Sequence, residues 1–292
     1  MSDFRNVSLN RIFAPLFMPE KLFTRWGILA LVLLLGACSN FRKIQKSEDW
    51  RIKYDAGLNY YNKKDYYHTA ILFEEILPVV RGLPEGEKVE FYLAYCQYYE
   101  KTYLLASNQF KTFFETYGRS SLAQEAYFMY AYSQFVASPD SNLDQKSSLE
   151  AMAAMQNFLN RFPNSTFRDR AIEVINASQQ KLEAKGFENA RQYLKIKMYK
   201  AAVIAFDNFK KAYPDSKYLE EIAYLKVLSQ YRYATASFQH LQSERYTLVV
   251  NYYQEFVDAY PNSTFLKDAE KMYSDSQAQL SKLKSIKTNK PS

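Results

Sequence analysis

Glycine, histidine and cysteine are scarce in this chain of 292 residues. It has 7 glycines and neither a G-x-G-x-x-G nor a G-x-x-x-x-G-K pattern, which excludes the two common phosphate-binding loops. His68 and His240 are the only histidines, and Cys38 and Cys96 are the only cysteines, so a zinc site or a Cys–His catalytic pair would need nearly all of them. We therefore expect no metal site and no cofactor.

Groups suited to acid–base catalysis are equally sparse. Adjacent carboxylates occur at Glu74-Glu75 and at Glu220-Glu221. Neighbours on a helix point about 100° apart, so each pair is better interpreted as solvated surface than as catalytic. His68, within DYYHTA, and His240 have no serine or cysteine motif beside them. The sequence predicts no catalytic residues and a protein that is not an enzyme.

Aromatic residues are abundant instead, with 26 Tyr, 21 Phe and 2 Trp. Together with few glycines and 9 prolines, they favour helices packed through aromatic rings over a turn-rich β fold. The formal charge is +7, from 38 basic and 31 acidic residues, but basic and acidic positions alternate instead of forming a basic stripe. We expect an all-α protein that does not bind nucleic acid.

The first forty residues indicate export. WGILALVLLL, from Trp26 to Leu35, follows Lys21 and Arg25 and precedes Gly-Ala-Cys38. Ten apolar residues are too few for a bilayer-spanning helix, which needs about 20. LGAC resembles a bacterial lipobox, in which the cysteine receives S-diacylglycerol and an N-acyl group and becomes the first mature residue. The alternative is a buried hydrophobic helix that ends in an ordinary cysteine.

This interpretation fixes the expected location. A signal peptide over 1–37 is unusually long, and a start at Met18 would give it an ordinary length. Ser39-Asn40-Phe41 follows Cys38 without the aspartate that in some bacteria retains lipoproteins at the inner membrane. We expect a lipid-anchored protein on the periplasmic face of the outer membrane. With Cys38 acylated, Cys96 has no disulfide partner.

A recurring ending indicates the architecture. Four segments share it: FFETYGRS at 113–120, FLNRFPNS at 158–165, FKKAYPDS at 209–216 and FVDAYPNS at 256–263. A small residue four positions before a larger apolar one is typical of the second helix in a tetratricopeptide-like pair. The chain offers Thr69/Phe73, Ala106/Phe110, Ala151/Met155, Ala202/Phe206 and Val249/Tyr253.

We therefore predict an all-α, right-handed superhelical solenoid of about five tetratricopeptide-like helix pairs. N-cap serines are expected at Ser120, Ser165, Ser216 and Ser263. The predicted segments are a signal peptide (1–37), a lipidated linker (38–49), repeats 1–2 with the leading helix of repeat 3 (50–136), a loop with the rest of repeat 3 and a connecting helix that ends at Gly186 (137–185), repeats 4–5 (186–275) and a basic, disordered tail (276–292).

The leading helices carry a candidate peptide-binding groove. Tetratricopeptide spacing assigns it to Tyr54, Leu58, Tyr61, Phe91, Tyr95, Tyr98 and Tyr99. Tyrosine offers a large, rigid contact area with a polar tip, which suits extended, partly apolar peptides. The nearby Lys63, Lys64, Lys88 and Lys101 could attract a terminal carboxylate. The alternative is that these rings contact an added capping helix.

The lipobox, the short linker and the F-x-x-x-[YF]-P-x-S endings together resemble the BamD family of outer-membrane lipoproteins. DYYHTAILFEEIL at 65–77 and FKKAYPDSKYLEEIAYL at 209–225 look like its repeat endings, whereas the ending at Gly118 and the loop at 137–148 depart from the pattern. The resemblance implies a non-catalytic scaffold of the β-barrel assembly complex. Its first two or three repeats would face unfolded outer-membrane proteins, and its last two would bind the BamA barrel partner.

Two other functions remain open. A lipid-anchored repeat protein could act as a periplasmic adaptor for cell-wall synthesis or division. A glycan-binding uptake lipoprotein is the second, but such proteins usually expose tryptophan platforms, and Trp50 is the only tryptophan after the predicted signal peptide.

Overall fold

The computed structural model describes residues 40–288, and every regular element in that range is an α-helix. The helices are α1 (residues 40–45), α2 (Trp50–Asn62), α3 (Tyr66–Val80), α4 (Pro84–Tyr99), α5 (Tyr103–Thr116), α6 (Ala123–Ala137), α7 (Lys146–Arg161), α8 (Arg168–Lys195), α9 (Tyr199–Ala212), α10 (Leu219–Thr235), α11 (Gln239–Ala259) and α12 (Leu266–Thr288). The predicted all-α class is confirmed. The signal peptide, Cys38 and residues 289–292 lie outside the described residues.

The chain divides after Lys101 into two compact units. In the first unit, α2 packs on α3 and α3 on α4. In the second unit each helix from α5 to α12 packs on the next, and α6 also contacts α8 as α10 contacts α12. Contacts between alternate helices are typical of stacked helix pairs. The sequence placed a change of organisation at 137–185, and the handedness of a superhelix stays a prediction.

The small-and-large pairs form the interior of these helix pairs. Thr69, Ala106, Ala151 and Ala202 are fully buried, and so are the larger partners Phe73, Phe110, Met155 and Phe206. Val249 is also fully buried, but its partner Tyr253 is only half-buried and stacks on Tyr273 of α12 at 4.5 Å. In the last pair Phe256 takes the buried place, because α12 covers that side of α11.

Ser120, Ser165, Ser216 and Ser263 form hydrogen bonds in the turn before each helix and not at the first residue of the helix. Each hydroxyl oxygen accepts a hydrogen bond from the backbone N–H two residues later, at 3.0 Å for Ser120, 3.1 Å for Ser165, 3.3 Å for Ser216 and 3.2 Å for Ser263. The following helices begin three residues after each serine. The prediction that these serines are the N-caps is therefore wrong, because a hydrogen-bonded turn separates each from its helix.

A ring stack follows three of these turns. Phe167 stacks on Phe128 at 4.7 Å, and Tyr218 stacks on Phe187 at 4.4 Å. Phe265 repeats the contact on Tyr224 at 4.6 Å. Offset stacking of this kind adds about 0.5–1.5 kcal/mol beyond the buried area. The repeated stack holds the start of one helix pair against the leading helix of the pair before it.

Three of the turns that join consecutive helices have a positive φ at lysine. Lys64, Lys101 and Lys197 have φ of 63°, 64° and 63°. This left-handed conformation favours glycine or asparagine, because a Cβ crowds the backbone there. In each turn the residue two positions later is the tyrosine that begins the next helix. The chain therefore keeps a lysine at three equivalent positions where its backbone conformation is unfavourable.

The predicted helix end at Gly186 is wrong, because α8 runs without interruption from Arg168 to Lys195. Its buried side continues across the glycine, from Val174 and Ser178 to Phe187 and Ala190. A glycine inside a helix costs only about 1 kcal/mol relative to alanine, which this burial outweighs.

The predicted disorder over 276–292 is wrong for residues 276–288, which continue α12 to Thr288. Ser276 is fully buried, and Leu280 and Leu283 pack against the core around Phe256. These positions lie three or four residues apart and so share one face of the helix. The lysines in this segment therefore lie on a helix whose other side is packed. Residues 289–292 lie outside the described range.

The linker before the first repeat is docked through α1. Phe41 is 9% exposed, and its ring lies 4.2 Å from the His68 ring and 5.8 Å from the Tyr60 ring. Gln45 and Lys53 each donate a hydrogen bond of 2.7 Å to the Glu75 carboxylate. Burial alone would raise the pKa of Glu75, but these bonds and the Lys53 charge outweigh it and hold the pKa below its usual value.

Replacing Phe41 by alanine is expected to release this segment. The lost ring contacts should lower the free energy of unfolding by about 1–2 kcal/mol, less than a core phenylalanine, because Phe41 lies at the edge. Trypsin should then cut faster after Arg42, Lys43 and Lys46. Urea unfolding and timed proteolysis measure the two effects. Unchanged cleavage rates in Phe41→Ala would contradict the docking.

Candidate peptide-binding surfaces

The first unit contains a run of tyrosine rings that joins α2, α3 and α4. Tyr61 contacts Tyr66 at 5.6 Å and Tyr92 at 4.6 Å. Tyr66 stacks on Tyr99 at 4.3 Å, and Tyr99 stacks on Tyr95 at 5.9 Å. We call these five residues the tyrosine ladder. Three of them belong to the groove set predicted from the sequence, whereas Tyr66 and Tyr92 do not.

The other predicted groove residues are placed differently. Tyr54 and Leu58 pack against the core around Phe73, with the Tyr54 and Phe73 rings 6.2 Å apart. Tyr98 is half-buried and contacts the Tyr99 ring edge-on at 5.5 Å. Phe91 is only 4% exposed, so its prediction as a groove residue is wrong. The periodicity marked it as lying on a leading-helix face, but that part of the face is covered.

One ring of the predicted set is clearly open to solvent. Tyr99 is 45% exposed, whereas Tyr54, Leu58, Tyr61, Tyr95 and Tyr98 are half-buried. The ladder contacts join α2, α3 and α4, so they belong to the repeats themselves and not to an added capping helix. The first unit therefore presents a run of contacting rings in which Tyr99, stacked between Tyr66 and Tyr95, is the ring most open to solvent.

Burial changes the ionisation of groups in this unit. It raises the pKa of the Tyr61 hydroxyl, and charge on Tyr99 or Cys96 would raise it further. Burial also raises the pKa of the Cys96 thiol to about 12, with smaller effects from Glu100 and Glu74. Cys96 is fully buried. The thiol is therefore held neutral and out of reach, which is unlike a reactive cysteine.

Cys96 should resist thiol reagents at pH 8 until the chain unfolds. A Cys38→Ser chain, in which Cys96 is the only thiol, is expected to react with a chromogenic disulfide only after urea is added. Because the folded pKa is about 12 and the unfolded value about 8.5, stability is complete below pH 8.5 and falls as the pH rises toward 12. The slope is about 1.4 kcal/mol per pH unit. The same titration on Cys96→Ala should lack this component, and full labelling without urea would contradict the prediction.

The second unit contains an open apolar groove that the sequence did not predict. One cavity, of about 450 Å³, lies between α8 and α9 and is lined from Gly186 to Tyr213. A second, of about 540 Å³, lies between the α8–α9 turn and the residues Tyr233 to Arg245. Both are lined by Ala201 and Ile204, so they adjoin. We call the combined surface the Ile204 groove.

The groove is lined by small residues together with large apolar ones. Gly186 and Ala190 lie one turn apart on α8, and Ala201, Ala205 and Ala212 line the groove from α9. Beside them Ile204 and Met198 are each 53% exposed. Tyr193 and Ile196, at 41% and 52%, and Phe238, at 78%, are also open to solvent. Concave apolar surface with exposed large side chains is typical of protein docking sites.

The charges lining the groove are positive. Lys197, Lys200 and Arg245 line the second cavity, and no carboxylate does. Arg245 is held over the Tyr233 ring at 3.9 Å and donates to the Ser237 hydroxyl. Within residues 40–288, Lys197 and Lys200 have no ion-pair partner within 4.0 Å. The groove therefore suits an apolar segment that carries carboxylates.

Within the described residues, the histidine side chains do not lie in a cluster suited to catalysis or metal binding. The His68 Nδ1 atom lies 2.8 Å from the Asp65 carboxylate on the surface of the first unit. His240 lies beside the exposed ring of Phe238. Among residues 40–288, no cluster of histidine, cysteine or carboxylate side chains is suited to hold a metal ion. In the same range, no helix has the length and apolarity that a bilayer crossing requires.

Residues 48–215 match the protein family described as YfiO, outer membrane lipoprotein. This range is more than half of the chain. The chain belongs to the YfiO family. The matched range contains the tyrosine ladder and the cavity lined from Gly186 to Tyr213, whereas the residues from Tyr233 to Arg245 lie beyond it. Family membership associates the chain with the outer membrane.

This YfiO-family chain is also similar to one curated protein and, more weakly, to one solved structure. The putative outer membrane protein assembly factor BamD of Aquifex aeolicus (strain VF5) is 29% identical over 127 residues, which are 43% of this chain and 42% of that protein. The match thus spans less than half of that relative. A solved tetratricopeptide repeat protein from Bacteroides fragilis NCTC 9343 is 13% identical, covers 80% of this chain and 99% of its own, and has a TM-score of 0.38.

Proposed function

We propose that this chain is a non-catalytic scaffold for the assembly of outer-membrane β-barrel proteins. In this proposal Cys38 carries S-diacylglycerol and an N-acyl group, and these lipids hold the protein to the periplasmic face of the outer membrane. Membership of an outer-membrane lipoprotein family and the similarity to a putative outer membrane protein assembly factor of Aquifex aeolicus support the role. Packed helix pairs with open apolar surface support binding as the activity.

The Ile204 groove carries the proposal that the second unit holds the barrel partner. Its volume, its small lining residues and its exposed large neighbours suit a protruding apolar segment of another protein. Lys197, Lys200 and Arg245 favour a segment with carboxylates at its edge. We propose that the periplasmic domains of a BamA-type barrel protein supply this segment. Other assembly-complex subunits would use further surfaces of the repeats.

The tyrosine ladder carries the proposal that the first unit receives unfolded outer-membrane proteins. Such substrates end in an aromatic residue, and the exposed Tyr99 ring, which is held by its stacking on Tyr66 and Tyr95, offers it an aromatic partner. Positive charge stands nearby at Lys101, where a terminal carboxylate could bind.

Photo-crosslinking in living cells tests the partner. A photoreactive amino acid at Ile204 should capture a large barrel protein, identified by mass spectrometry of purified membranes. The same amino acid at Leu149, which is 49% exposed on α7, is the matched control. Capture of peptidoglycan-synthesis enzymes instead would favour the cell-wall adaptor and contradict the proposal. Co-purified glycan without a barrel protein would favour the uptake lipoprotein.

Tyr99→Ala is expected to weaken binding of a peptide with a C-terminal aromatic residue about tenfold, because it removes the exposed ring of the ladder. Stability should change little, since Tyr99 is 45% exposed. Fluorescence anisotropy with a labelled peptide from an outer-membrane protein C-terminus measures the affinity. Leu149→Ala should bind as the unaltered chain does. Equal affinities for Tyr99→Ala and the unaltered chain would contradict this assignment.

A further inference from the structure

The α1 helix has one docked side and one basic side. Phe41 packs on the first repeat, and Gln45, one turn later, bonds to Glu75. Arg42, Lys43 and Lys46 are exposed to solvent. Residues 40–47 contain no acidic side chain. The charged side chains exposed at residues 40–47 are therefore all basic, and the first carboxylates after them are Glu48 and Asp49, the N-cap of α2.

A second basic element lies beside the docked ring. The two rings that Phe41 contacts, Tyr60 and His68, stand on either side of the α2–α3 turn. Lys63 and Lys64 are exposed in this turn, and within residues 40–288 neither has an ion-pair partner within 4.0 Å. The docking of Phe41 thus brings the α1 segment next to the turn that carries these two lysines.

The remaining groups at the turn fit the same face. Tyr67 is 63% exposed, the most exposed large apolar or aromatic side chain described in the first unit. Asp65 is the acidic residue of the turn, and its carboxylate is occupied: it accepts a hydrogen bond from the His68 backbone N–H and lies 2.8 Å from the His68 ring nitrogen. Its negative charge is therefore partly satisfied within the protein, whereas the lysine charges are not.

Chain length places this face close to the lipid anchor. Cys38 precedes Phe41 by three residues, and a fully extended chain spans at most about 3.6 Å per residue, or roughly 11 Å in total. Acyl chains on Cys38 would lie in the membrane. Phe41 contacts Tyr60 and His68 on either side of the α2–α3 turn, so this turn is held beside the anchored segment.

We infer that the outward side of α1 and the α2–α3 turn form a membrane-contact face that binds the anionic headgroups of phospholipids. The inference rests on the proposed acylation of Cys38. Arg42, Lys43, Lys46, Lys63 and Lys64 supply the charge, and each such residue near an anionic surface strengthens binding about fivefold. Tyr67 supplies an aromatic ring with a polar tip, a side chain that is favoured at the level of the headgroups.

Quenching of a single tryptophan by brominated lipid tests this face. The acylated mature chain is purified from membranes, with Trp50→Phe to remove the native fluorophore and Tyr67→Trp as the reporter. It is reconstituted into vesicles of brominated phosphatidylethanolamine and phosphatidylglycerol. We expect strong quenching of this reporter and little of a control reporter, Val79→Trp, at an exposed position near the opposite end of α3 in the same unit. Quenching of the Tyr67→Trp reporter should be weaker in vesicles of brominated phosphatidylcholine, which contain no anionic lipid.

A charge variant separates headgroup binding from mere proximity. Lys63→Glu with Lys64→Glu is expected to remove at least half of the Tyr67→Trp quenching. Lys210→Glu with Lys211→Glu, also an exposed lysine pair at the end of a helix, should leave it unchanged. Quenching that persists in the first variant, or is absent although the acylated chain floats with the vesicles, overturns this inference alone. A chain shown by mass spectrometry to lack acyl groups overturns the anchor and this inference together.

Discussion

Gly57→Ala is expected to lower the free energy of unfolding of the first unit by about 3 kcal/mol, at the upper end of the usual range for overpacking. A Cβ at this position would lie 2.3 Å from Cε1 and 2.8 Å from Cδ1 of Phe73. Phe73 is fully buried in the core with Ile76 and Leu93, so moving its ring would displace packed neighbours. The Thr69 hydroxyl donates to the Asp65 carbonyl at 2.8 Å and also lies 3.3 Å from the Gly57 carbonyl oxygen, so α3 is close to α2 at this position. Urea unfolding followed by circular dichroism measures the loss.

Gly186→Ala is the matched control, because it makes the same change within another helix. Its Cβ would lie 3.1 Å from Cε2 of Tyr213 and 3.4 Å from the Phe209 ring. Tyr213 is half-buried and can move by a few tenths of an ångström. A gain in helix propensity of about 1 kcal/mol offsets this crowding. Similar losses in both variants would show that close packing on Phe73 is not the cause.

Ile204→Glu is expected to weaken binding of the proposed barrel partner at least a hundredfold. Ile204 lines both cavities of the Ile204 groove, so a charged side chain there would be buried by any segment that fills the groove. Because Ile204 is 53% exposed in this chain, folding should change by less than about 0.5 kcal/mol. Calorimetric titration with the periplasmic domains of the BamA-type protein from the same organism measures the affinity.

Two further variants sharpen this test. Leu149→Glu places the same charge on a residue of similar exposure outside the groove and should leave the affinity unchanged. Lys200→Glu should weaken binding less than Ile204→Glu, and its effect should fade in high salt, because it changes an exposed charge. An Ile204→Glu chain that binds with unaltered affinity would place the partner elsewhere.

The packed side of the helix pairs could be predicted from the sequence because its rules are local. A small residue four positions before a large one specifies close helix contact, and Ala202 with Phe206 is buried as expected. No local sequence rule of this kind predicts the Ile204 groove. Ala201 and Ile204 alternate with those buried positions along α9, and nothing in their spacing shows that α8 and α10 leave them uncovered.

The errors in the predicted groove also arise because local spacing does not show which positions are covered by neighbouring helices. Phe91 and Tyr99 lie eight residues apart on α4, so periodicity puts them on similar sides of the helix. Only Tyr99 is exposed, because burial depends on which neighbouring residues reach each turn of the helix. Local composition also gave wrong predictions for the ends of α8 and α12. Glycine at 186 and lysines beyond 280 suggested termination, but buried side chains on the opposite faces of α8 and α12 decided the outcome.

The lysines with positive φ place a charged side chain where glycine or asparagine would make the folded protein more stable. Asparagine or glycine at Lys64 or Lys197 would adopt the same turn more easily, by roughly 1 kcal/mol. Each of these two lysines contributes to a surface proposed to bind something negative, a lipid headgroup in one unit and a partner carboxylate in the other. Natural variants that replace either with asparagine should therefore be more heat-resistant and poorer at attachment.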